Sequence, residues 1–91
     1  MIDARSPGSE QVAAGIADLA LGKESISSLL VSIGCSRLRR AGLEIPTPLT
    51  DRPEERLYGL LAEEDPATAH SRYNALIRRL VSFERAAECA G

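Results

Sequence analysis

The C-terminal part of the chain repeats its apolar residues at the period of an α-helix, and this pattern constrains the fold more than any other feature. When successive residues are turned by about 100°, one arc is apolar and the opposite arc is polar. The segment therefore predicts a long amphipathic helix that starts near the capping pair Asp65-Pro66. The apolar arc contains Ala69, Tyr73, Leu76, Ile77, Leu80, Phe83 and Ala87. The polar arc contains Ser71, Asn74, Arg78, Ser82 and Arg85.

Shorter helices are predicted upstream by the same periodicity and by residues that commonly start and end helices. Gly15 interrupts the first of them and is expected to weaken it by about 1 kcal/mol relative to alanine. Strand-like alternation does not persist anywhere beyond four residues. The predicted starts are the capping residues Ser9, Ser25, Ser36 and Asp51, and the predicted ends are Gly22, Gly34 and Gly42.

These patterns predict an all-α fold, a small bundle of four to five helices. The long amphipathic C-terminal helix is expected to pack antiparallel to the preceding helix. Residues 1–8 are predicted to form a flexible tail and residues 9–91 a single helical domain, with a proline-containing connection over residues 44–50. A chain of 91 residues has room for one small core, and its three aromatic residues make that core mainly aliphatic.

The net charge of −2 excludes a strong overall attraction to nucleic acid or to an anionic membrane. The local distribution is more informative. Between Asp51 and Asp65 six acidic residues stand against two arginines, whereas between His70 and Arg85 four arginines stand against one glutamate. The acidic segment followed by the basic one favours two paired helices with complementary rims.

Residues Ile26–Arg37 resemble the first helix and the turn of a helix-turn-helix motif. In that resemblance Gly34 permits the tight turn and Ser36 caps the second helix, from which a following arginine reaches phosphate or base. Gly42, however, ends that helix after about one and a half turns. We call the residues Ser36, Arg37, Arg39 and Arg40 the basic corner. Its arginines either bind nucleic acid or an acidic partner, or pair with the acidic residues of segment 51–65.

The sequence does not predict an enzyme, a cofactor or a metal site. His70 lies four residues from Asn74 on the predicted helix and has no nearby nucleophile on the same face. Cys35, beside three arginines, is either a reactive thiol or a buried apolar residue. Together with Cys89 and His70 it supplies too few ligands for a closed zinc site.

The favoured hypothesis is a non-enzymatic helical module, cytoplasmic, that binds another protein or a second copy of itself. A nucleic-acid-binding regulator that uses the basic corner is the first alternative. A small companion or antitoxin-like subunit of a bacterial gene pair is the second. No membrane partner is expected, since no apolar stretch is long enough to span a bilayer. The predicted interaction face of the last helix consists of Tyr73, Ile77, Val81, Arg72, Arg78 and Arg79.

Overall fold

The computed structural model describes residues 8–90, which form five α-helices and contain no β-strand. The helices are α1 (Ser9–Ala20), α2 (Ile26–Ile33), α3 (Cys35–Arg40), α4 (Pro53–Glu64) and α5 (Ala69–Ala90). The predicted all-α class is confirmed, and the five helices fall within the predicted four to five. The predicted flexible tail falls mainly on residues 1–7, which lie outside the described residues.

Several helix ends agree with the signals in the sequence. The Ser25 side chain accepts a hydrogen bond from the Ser28 N–H at 3.0 Å, and the Ser28 hydroxyl accepts one from the Ser25 N–H at 2.7 Å, which makes a complete capping box for α2. Gly22 and Gly42 follow α1 and α3 with φ of +70° and +100°, the left-handed region that glycine adopts at least cost. These helix ends could be predicted from the sequence because the residues that form each of them lie within four positions of one another.

Other predicted starts are wrong by one to three residues. Gly8 rather than Ser9 is the N-cap of α1, and its carbonyl accepts a hydrogen bond from the Val12 N–H at 2.9 Å. The N-caps of α3 and α4 are Gly34 and Arg52, not Ser36 and Asp51. The fifth helix begins at Ala69 because Asp65 forms a separate turn, in which its carboxylate accepts a hydrogen bond from the Ala67 N–H at 3.1 Å.

Gly15 lies on the side of α1 that packs closely against α2. A Cβ atom at this position would lie 2.3 Å from the Ser27 carbonyl oxygen and 2.5 Å from Cγ2 of Val31. The Gln11 amide donates a hydrogen bond to the Ser27 hydroxyl at 3.3 Å, and the Ser25 hydroxyl donates one to Asp18 at 2.6 Å. The glycine that was expected only to weaken α1 therefore allows the two helices to pack together.

The core is aliphatic, as the composition predicts, and it draws on all five helices. Phe83 is the only buried aromatic ring among the described residues. Ile45 is also buried and anchors the connection between α3 and α4. None of the helices in residues 8–90 combines the length and the hydropathy that a bilayer span requires. The fully buried large apolar side chains are Val12, Leu29, Leu30, Val31, Leu38, Leu57 and Leu61.

Gly59 gives a direct test of the packing of α4. It lies in the middle of this helix, and a Cβ atom built on it would meet nothing within 4 Å. We expect Gly59→Ala to raise the free energy of unfolding by about 0.5–1 kcal/mol, because alanine loses less backbone entropy on folding. Urea denaturation followed by circular dichroism measures this change.

The matched control for that substitution is Gly42→Ala, which also places a methyl group in open space. Here φ is +100°, so the substitution is expected to destabilise the protein by about 1 kcal/mol or more. A loss of stability in Gly59→Ala would show that something approaches this side of α4.

Candidate functional site

The basic corner is largely engaged within the fold. Arg37 donates hydrogen bonds from Nε and Nη2 to Oε1 of Glu88, at 3.1 and 2.9 Å, and its Nη1 lies 3.5 Å from Oε1 of Glu84. Arg39 donates from Nη2 to the Ile45 carbonyl at 2.8 Å. One of the two alternatives, pairing with acidic residues of segment 51–65, is not what Arg37 and Arg39 do. Arg37 pairs with α5 instead, and Arg39 holds the connection that follows α3.

The remaining members of the basic corner, Ser36 and Arg40, are exposed. Among the described residues Arg40 has no ion pair. It lines an open depression of about 620 Å³ between α3 and the end of α5, together with Arg37, Ala41, Gly42, Ala87 and Glu88. Because Glu88 already pairs with Arg37, the positive charge left unpaired among the described lining residues is that of Arg40.

Glu84 is a candidate site residue that the sequence did not single out. It is buried on α5, and burial raises the pKa of its carboxyl, while the nearby Arg37 guanidinium lowers it and Glu88 raises it further. A Cβ atom at Gly34 would lie 2.9 Å from Oε2 of Glu84, so α5 contacts the turn between α2 and α3 here. Its position four residues after Leu80 and three before Ala87 placed it on the apolar arc, and that was the available signal.

Two of the three aromatic rings pair at the surface, where α4 meets α5. The ring centroids of Tyr58 and Tyr73 are 5.7 Å apart with an interplanar angle of 59°, a tilted arrangement that aromatic pairs favour. Tyr58 is 41% exposed, and Tyr73 is half-buried. Burial raises the pKa of the Tyr73 hydroxyl, and the charge of Glu54 adds to that shift.

A half-buried apolar stripe continues from this pair along α5. Tyr73, Ile77 and Val81 follow one another at four-residue intervals, which places them on one side of the helix. Tyr73 and Ile77 pack against the core, whereas Val81 does not belong to the core cluster. We call the surface formed by Tyr58, Tyr73, Ile77 and Val81 the α4–α5 seam.

The structure divides the predicted interaction face between two sides of α5. Arg72 pairs with Glu64 of α4 at 3.2 Å, and Gly8 at the start of α1 lies beside Arg79, where a Cβ would be 3.2 Å from the Arg79 carbonyl. Arg79 follows Ile77 by two residues, a rotation of about 200° around the helix axis. Arg79 and Ile77 therefore lie on opposite sides of α5. Arg78 is exposed three residues before Val81 and so borders the α4–α5 seam.

The polar and thiol candidates do not come together into one site. The His70 ring nitrogen Nε2 and the Asn74 amide nitrogen lie 3.2 Å apart, which confirms that they are neighbours on α5. Cys35 is buried and Cys89 is exposed. No group of three or more metal-ligating side chains occurs within residues 8–90.

Comparisons with known proteins add no relative to this description. Scans against protein-family models, curated proteins and solved structures gave no match.

Proposed function

We propose that this protein is a non-enzymatic protein-binding module and that the α4–α5 seam is its binding surface. The observation that carries the proposal is the Tyr58–Tyr73 pair. In a chain with three aromatic rings, two of them lie at the surface and only Phe83 is in the core. Tyrosine offers a large contact area and a polar tip at a low entropy cost, and it is enriched in the residues that dominate protein interfaces.

The incomplete burial of α5 supports the same proposal. Among its described side chains only four are buried, namely Ala69, Leu80, Phe83 and Glu84. The shorter helix α2 buries five of its eight residues. A helix with a wide apolar arc is stabilised mainly by covering that arc, so the partly covered stripe Tyr73–Ile77–Val81 is suited to a protein partner.

The nucleic-acid alternative has weaker support, because Arg37 and Arg39 already have partners within the chain. Backbone recognition of nucleic acid draws on several free cations, and the basic corner offers Arg40. The companion-subunit hypothesis is a special case of the proposal, in which the partner is the product of a neighbouring gene.

Two further predictions belong to the same proposal. An antiparallel pairing of α4 and α5 is supported by two contacts, Tyr58 with Tyr73 and Glu64 with Arg72, which connect residues on either side of a short turn. We also propose the cytoplasm as the compartment of the interaction.

Site-specific photocrosslinking tests the binding surface. A benzoyl-phenylalanine residue is placed at Tyr58 or at Val81, and the protein is irradiated in cells of its native host. We expect a discrete adduct of defined mass from both positions, because the probe then lies within the interface. Adduct formation from Tyr58 should be lost when Val81 is also changed to aspartate, since a carboxylate in the seam opposes apolar contact.

The matched control carries the same probe at Leu21, which is 80% exposed at the end of α1 and lies outside the seam. A probe at this position reports accidental collisions of an exposed apolar side chain. Equal adduct formation from Leu21 and Tyr58, or no discrete adduct from either seam position, would reject the proposal.

A further inference from the structure

The charges beside the α4–α5 seam are opposite on its two helices. On α4, Glu54 and Glu55 precede Tyr58 by four and three residues, so both lie next to this ring on the helix surface. On α5, Arg78 and Arg85 lie three residues before and four residues after Val81. The seam therefore has an acidic half along α4 and a basic half along α5.

Most of these charges are not neutralised by the rest of the chain. Within residues 8–90, Arg78, Arg85 and Glu54 form no ion pair. Glu55 forms one with Arg52 at 3.6 Å, in which both side chains are more than 70% exposed, so this pair is easily given up. Only Arg72 and Glu64 form an ion pair between α4 and α5. The opposite charges of α4 and α5, which the sequence predicted to face each other, are thus mostly unpaired within residues 8–90.

We propose that the partner of the α4–α5 seam is a second copy of this chain, in a dimer with twofold symmetry. A twofold rotation places the basic half of one seam over the acidic half of the other, and the reverse contact follows by symmetry. The apolar residues Tyr58, Ile77 and Val81 then meet at the centre of the interface. Each charged half of the seam then faces charges of the opposite sign on the other copy. These attractions orient the two copies relative to each other.

This inference rests on the proposed function, because it names the partner of the same surface. The surface is small and its apolar centre is short, so we expect a dissociation constant of about 10 µM, typical of a weak interface. Such a dimer is measured on the purified full chain by sedimentation equilibrium over a concentration range that brackets this value.

Paired charge reversal is the decisive experiment. One variant carries Arg78→Glu with Arg85→Glu, and the other carries Glu54→Lys with Glu55→Lys. Each variant alone sets like charges against each other in both halves of the interface, and we expect its dissociation constant to rise at least about tenfold. In an equimolar mixture every contact again joins opposite charges, so a heterodimer of nearly wild-type affinity is expected.

The matched control for the first variant is Arg40→Glu with Arg79→Glu, which makes the same change of net charge away from the seam. This control should dimerise like the wild type. All the substituted side chains are exposed, and a thermal melt of each variant verifies that it remains folded. Equal weakening in the control would mean that net charge alone governs association, and it would overturn the inference.

Two other results would also overturn it. The first is a wild-type chain that stays monomeric at all concentrations tested. The second is a mixture of the two folded reversal variants that does not regain dimerisation. If the chain is monomeric and a probe at Tyr58 still forms a discrete adduct with a different protein, the dimer is rejected and the proposed function stands. If no adduct forms either, both are rejected.

Discussion

Gly15→Ala is expected to lower the free energy of unfolding by about 3 kcal/mol, because a Cβ atom here would make the closest contacts found for any described glycine. The added Cβ would lie 2.3 Å from the Ser27 carbonyl oxygen and 2.8 Å from the carbonyl carbon. These are backbone atoms within α2, so a change of side-chain rotamer cannot relieve the contact. The helices α1 and α2 must move apart, and the apolar packing between them loosens.

The measurement is urea denaturation of the variant and the wild type, followed by circular dichroism. A domain of this length has a total stability of about 5–14 kcal/mol, so the expected loss is a large share of it. Gly59→Ala is the matched control, because it makes the same chemical change in a helix interior and is expected to have the opposite sign. A Gly15→Ala variant as stable as the wild type would contradict the close crossing of α1 and α2.

A second variant identifies which contact is responsible. Adding Val31→Ala to Gly15→Ala removes the Cγ2 atom that lies 2.5 Å from the new Cβ. The Ser27 carbonyl remains in place, and a core valine is lost in addition. We therefore expect the double variant to be no more stable than Gly15→Ala. Recovery of stability would assign the clash to Val31 instead of the backbone of α2.

Arg37→Ala is expected to destabilise the protein at neutral pH, because it leaves the buried Glu84 carboxylate without a cation. The Glu84 side chain is 4% exposed, whereas that of Arg37 is 40% exposed. Water partly screens the pair from the arginine side, which keeps the expected cost below that of a fully buried pair. Arg40→Ala is the control, because Arg40 is exposed and forms no ion pair within residues 8–90, and it should change the stability by less than about 0.5 kcal/mol.

The cost of Arg37→Ala should shrink as the pH falls. The pKa of Glu84 is raised above its ordinary value of 4.5 in the folded protein, and removing Arg37 raises it further. A carboxyl with a raised pKa binds its proton more tightly in the folded state, so its contribution to stability falls as the pH rises through the window above 4.5. In acid the proton neutralises the buried group, and the missing cation matters less.

Denaturation of Arg37→Ala and of the wild type at about pH 5 and pH 8 measures this dependence. Glu24 has a pKa lowered by hydrogen bonds from Arg56, so its stabilising effect is lost as the pH falls. That contribution is common to both proteins and cancels in the difference between them. Addition of Glu84→Gln should remove most of the pH dependence of the difference. The same penalty at both pH values would mean that the Glu84 carboxylate is not its source.

The helices themselves were accessible from the sequence because their signals are local. The capping box at Ser25 and the glycine that ends α3 depend on groups within a few residues of each other. The apolar arc of α5 was equally predictable from the sequence, since the period of a helix fixes which residues share a face. The starts that lack such a side-chain cap, at Gly8, Gly34 and Arg52, were misplaced, and so was the start of α5.

What only the tertiary structure decided is which faces meet. Arg37 and Glu88 are 51 positions apart in the chain, and no local pattern indicates that they pair. The close crossing at Gly15 and the contact between Tyr58 and Tyr73 likewise depend on how whole helices are placed. Helical periodicity defines the faces of each helix, but many pairings of those faces bury a similar apolar area. Close packing selects one of them, and that selection created both the buried Glu84 and the α4–α5 seam.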